Sequence, residues 1–107
     1  MTVPQQSLDG IRAWMNQQFR PAQTKLQGES TPEVYCFQVE QGAPSPTLLV
    51  SQEVFDHHTV QEIIAALDHD HVAAKLRSDP ITDLICVEPQ GRIIFVPRHS
   101  WRRSDRI

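Results

Sequence analysis

The stretch ALDHDHVAAK, positions 66–75, sets two imidazoles, His69 and His71, beside two carboxylates, Asp68 and Asp70. Imidazole nitrogen and carboxylate oxygen are ligand atoms for zinc and related ions, so these four residues are the candidate metal ligands of the chain. A metal ion needs three or four such atoms converging at about 2 Å. On a continuous helix His69 and His71, two positions apart, diverge by about 200°, whereas a turn allows them to converge. The site therefore requires a break in the helix that carries it.

A second pair, His57 and His58, precedes the same helical segment. Nine or more residues of helix separate it from the first group, about 14 Å or more, which is too far for one mononuclear site. No nucleophile elbow, zinc-protease helix or phosphate-binding glycine loop occurs, and the four glycines are isolated. Cys36 and Cys86 stand fifty positions apart among apolar and aromatic neighbours, as buried, reduced thiols do. The carboxylate pairs Glu33 and Glu40, or Asp79 and Asp83, read most simply as solvated loop and edge charges. No cofactor is expected, and a small enzyme or metal protein built on the histidines is the third functional reading.

The end of the chain holds the other concentration of chemistry. Arg98, Trp101, Arg102, Arg103 and Arg106 combine phosphate-seeking charge with a stacking surface. From Arg92 onward the charge is +4, while the preceding residues sum to −7. A basic tail on an acidic body suits protein contact, or docking onto its own or a sister subunit's surface, and would serve nucleic acid only if the body were turned away.

The elements that position these groups follow from periodicity. Ser7 as N-cap and the stripe of Leu8, Ile11, Trp14, Met15 and Phe19 predict a helix at about 8–20. Positions 21–33 are rich in turn formers and read as a linker. VYCFQVE, 34–40, alternates Tyr35, Phe37 and Val39 against Cys36, Gln38 and Glu40, predicting a strand, with a return strand at about 47–55. Thr59 and Glu62 have capping-box spacing ahead of the stripe Val60, Ile63, Ile64 and Leu67. Continued without a break, that helix would turn Val72 and Leu76 to solvent. A break at 68–71, with Asp68 closing one segment and Asp70 capping the next, resolves the conflict within a helical region spanning 60–78.

LICV and IIFV flank EPQG, the best hairpin signal in the chain, at 82–97. The expected fold is α+β: an N-terminal helix, two strands, a broken helix and a C-terminal β-hairpin, in one domain over 1–97 with a mainly antiparallel four-stranded sheet. A basic tail, 98–107, follows. Because LICV and IIFV are continuous, both faces of the hairpin want cover. One face suits the middle helix; the other suits helix 1 or a second copy of the chain, hence an expected homodimer.

With 107 residues the chain has room for one core, and its longest apolar runs of four residues are far below the ~20 needed to span a bilayer. The N-terminus lacks the basic start and apolar run of a secretory signal, so the expected compartment is the cytoplasm. These features predict a small cytoplasmic protein that acts through protein–protein interaction as a homodimer with an unidentified protein partner. The alternative is a nucleic-acid-associated factor using the arginine–tryptophan tail. No membrane role is expected.

Overall fold

Helix α1, Gln5–Gln18, begins earlier than Ser7. Gln5 and Gln6 are adequate helix formers, and the Gln5 amide donates to Asp9 one turn later at 3.0 Å, which carries the helix past the expected cap. The computed structural model describes residues 5–20, 22–28, 34–40, 45–79, 83–88 and 91–97. The remaining elements are β1 Gln23–Gly28, β2 Val34–Glu40, β3 Thr47–Ser51, α2 Gln52–His57, α3 Val60–His69, α4 Val72–Ser78, β4 Leu84–Val87 and β5 Ile94–Pro97.

The class is α+β, but the sheet has five strands and is mixed, in the order β1-β2-β3-β4-β5. The expected four antiparallel strands are corrected in two places. Part of the 21–33 stretch is β1, antiparallel to β2 with Leu26 opposite Phe37. Its own β signal is faint, since only Thr24 and Leu26 turn inward. What holds it is α1: the Arg12 Nε donates to the Thr24 carbonyl at 3.0 Å, and Asn16 Oδ1 accepts from the Thr24 N–H at 2.5 Å.

The second correction concerns β3. It stops at Ser51, and 52–57 form helix α2, which buries Val54 and Phe55. Phe55 meets Tyr35 edge-on at 5.7 Å. Three helices thus separate β3 from β4, and a connection of that length returns the chain to a parallel neighbour, with Leu49 beside Ile85. The C-terminal hairpin is antiparallel as read, with Val87 opposite Ile94 and Gly91 in the left-handed region at φ 79°.

The broken helix is present: α3 ends at His69 and α4 restarts at Val72. Val72, Ala73 and Leu76 are buried, as the break requires. The capping differs in detail. Asp70 closes α3, and His71, in the left-handed conformation at φ 54°, takes the N-cap position of α4 without a side-chain cap.

One core joins α1, α2, α3 and α4 to Phe37, Val39, Leu48, Val50, Leu84 and Cys86 on a single face of the sheet. Helix 1 therefore does not cross to the second face. That face carries its own cluster of Val34, Leu49, Ile85 and Val87 with Ile94 and Val96, and no residue of a described helix joins it. Among the described residues no helix is long and apolar enough to cross a membrane.

Candidate functional site

The candidate metal ligands sit at the α3–α4 break. Asp68 is engaged by α1, whose Trp14 Nε1–H donates to its carboxylate at 3.0 Å. His69 Nδ1 meets Asp70 at 3.2 Å, and its side chain is largely in solvent. His71 is exposed. Among the described residues no group of three or more His, Cys, Asp and Glu side chains is placed to hold a metal ion. What this motif visibly does is join elements: it interrupts the helix between α3 and α4 and gives Trp14 a partner for the one polar atom of an otherwise buried ring. The tail residues Arg98, Trp101, Arg102, Arg103 and Arg106 lie outside the described residues.

Among the described residues, interacting ionisable groups gather elsewhere, at the carboxyl ends of the parallel strands β3 and β4. In open sheets with parallel strands this is the end where ligand sites form. The chain leaves β3 at Ser51, makes the short helix α2, and turns at His58 into the capped start of α3. The cap is complete: the Thr59 side chain accepts from the Glu62 N–H at 3.2 Å, and Glu62 accepts from the Thr59 N–H at 2.8 Å. This fixed corner sets His57 and His58 over Glu88, the first residue beyond β4.

Glu88 is buried, with its side chain only 4% exposed. Its two oxygens are divided between the histidines: His57 Nδ1 contacts Oε1, and His58 Nε2 contacts Oε2 at 2.7 Å. His58 Nδ1 lies 3.8 Å from Glu62. A buried carboxylate is costly unless hydrogen-bonded to donors, and the two imidazoles supply them in the tautomers that carry the proton on His57 Nδ1 and His58 Nε2. The bond to Glu88 raises the affinity of His57 for its proton above the ordinary histidine value, its charge adds to this, and Asp56 and Glu53 contribute; partial desolvation acts the other way. The His57 side chain is 65% exposed, so the far side of the imidazole faces water while the near side is held.

Cys86, two positions before Glu88, has its thiol pushed up to about 12 by burial, with Glu88 and Asp70 adding to the effect. It is no nucleophile at neutral pH. Cys36 and Cys86 lie on opposite faces of the sheet, as the pairing of Cys36 with Leu49 and of Leu49 with Ile85 requires, which keeps them from forming a disulfide.

Glu88 was not singled out from the sequence. It stands first in EPQG, where a turn-flanking glutamate looks solvated, and its partners are some thirty positions away. The available signal was its place immediately after LICV, a strand buried on both faces, which sets the next side chain at the mouth of the sheet. No protein-family model, curated protein or solved structure matches this chain.

Proposed function

We propose that the protein acts through protein–protein interaction, as a homodimer in which β5 of one copy pairs antiparallel with β5 of another. The observation that carries this reading is the difference between the two edges of the sheet. At the β1 edge, Val39 N–H bonds to Pro46, so the Thr24–Val39 pair does not exchange hydrogen bonds, and the outward N–H and carbonyl of Thr24 are taken by Asn16 and Arg12. At the β5 edge no described element supplies such cover. Residues 93–97, IIFVP, are half-buried and uncharged.

An edge strand presents alternate N–H and carbonyl groups, and an uncharged apolar edge is the kind that pairs with another chain. An antiparallel strand pair is self-complementary about a two-fold axis, so the second copy needs no surface other than the same one. Ile94 and Val96 extend the second-face cluster to this edge, where a paired copy would continue it. The reading places the dimer in the cytoplasm, as the sequence suggests.

Native mass spectrometry and sedimentation equilibrium of the full chain test it. The expected species is a dimer. Val96→Lys places two like charges near the two-fold axis and should raise the dimer Kd by at least about tenfold, roughly 1.4 kcal/mol, with an unchanged far-UV CD spectrum. A wild-type monomer at high concentration would refute the edge pairing, as would a folded Val96→Lys protein that dimerises as tightly as wild type.

A further inference from the structure

We propose that Glu88, His57 and His58 form a proton-operated latch, which holds the α2–α3 corner against the end of β4 when His57 is protonated and loosens it when that proton leaves. The inference is independent of the state of assembly.

Three features of the geometry carry it. First, the latch joins segments thirty positions apart: α2 and its corner follow β3, while Glu88 ends β4 and opens the hairpin to β5. Second, the carboxylate is buried and divided between two imidazoles, so its single negative charge is matched when one of them carries a proton. With both imidazoles neutral, the hydrogen bonds can persist but the buried charge is uncompensated. Third, access is asymmetric. The Glu88 side chain is 4% exposed and that of His58 18%, whereas His57 is 65% exposed, so His57 is the member most open to water.

The surrounding charges bias the latch in one direction. Facing His57 are Glu53 and Asp56 on α2 and Glu88 beyond β4; Glu62 of α3 approaches through His58. All are acidic, and Glu88, Asp56 and Glu53 favour the protonated His57. Cys86 on β4 keeps its proton throughout the relevant range. Because the folded-state affinity of His57 for its proton is raised, the latch is fully closed below the ordinary value of 6.5 and is lost as the pH rises through the higher folded value.

The experiment is an NMR titration of the labelled full chain from below pH 6.5 upward, following the imidazole signals of His57 and His58 and the amide-exchange protection of residues 52–58 corrected for intrinsic rate. The expected result is a His57 midpoint above 6.5, with protection falling over the same interval. Glu88→Gln keeps an amide at the site without its charge; it should lower the midpoint from the wild-type value and abolish the fall. His57→Gln alters an exposed side chain and should likewise abolish the fall, so the idea stays testable if Glu88→Gln does not fold. A wild-type midpoint at 6.5, or a fall in protection that persists in the folded Glu88→Gln or the His57→Gln protein, overturns the latch.

Discussion

His71 holds φ 54° between α3 and α4, a conformation in which the Cβ of an L residue crowds the following carbonyl and which costs a non-glycine residue about 1–2 kcal/mol. Glycine relieves that crowding but gives up about 0.4–1 kcal/mol through the freedom of the unfolded chain. His71→Gly should therefore stabilise the fold by ~0.5–1 kcal/mol, whereas His71→Val should destabilise it, as urea denaturation would show. A stabilised valine variant would mean that the left-handed turn is not held. The need for this turn was legible in the sequence, because Val72 and Leu76 could reach the core only if the helix stopped before them. Which residue would take the strained position was not, since Asp70 is the better intrinsic cap and loses its expected place only because it closes α3. Glu88 was hidden for a different reason. Its burial depends on partners from another part of the chain, and no local pattern records them.

Among the elements, α1 meets α3 closely at Gly10. A Cβ built there would stand 2.7 Å from Val60 Cγ2, on a β-branched side chain with little freedom to turn away. Gly10→Ala gains up to ~1 kcal/mol of helix propensity, against an overpacking cost of about 1–3 kcal/mol. The expected sum is a loss of roughly 1 kcal/mol. In a double-mutant cycle Val60→Ala should lessen that loss, and strictly additive effects would show that the two helices do not meet there. A second tie brings α4 to the end of α1: Arg77 donates to the Gln18 carbonyl at 2.9 Å and lies over the Phe19 ring at 5.6 Å. The long amphipathic elements were readable because burial imposes a period on them. β1 was not, because QTKLQG is made a strand by its neighbours β2 and α1 rather than by its own residues. α2 was missed because no glycine or proline separates SQEVF from the strand-forming TLLV before it, and the turn of Val54 and Phe55 into the helical core is set by tertiary packing.

For the molecule as a whole, the asymmetry of the sheet edges limits what can be assembled from it. A protein with two open edges adds copies at both and grows without end, as cross-β fibres do. Here α1 takes up the outward hydrogen-bonding groups of one margin at Thr24, through Arg12 and Asn16. Two copies joined through β5 would leave only the β1 margins, each capped at Thr24, and on this proposal the series stops at two. Arg12→Ala with Asn16→Ala should unseal the β1 margin and shift the size distribution toward species larger than a dimer, seen in light scattering at rising concentration. An unchanged distribution would show that those two hydrogen bonds do not guard the edge. If the copies pair through β5 as proposed, the N-terminal helix does more than complete a core: it becomes the terminator that separates a protein of fixed size from a polymer.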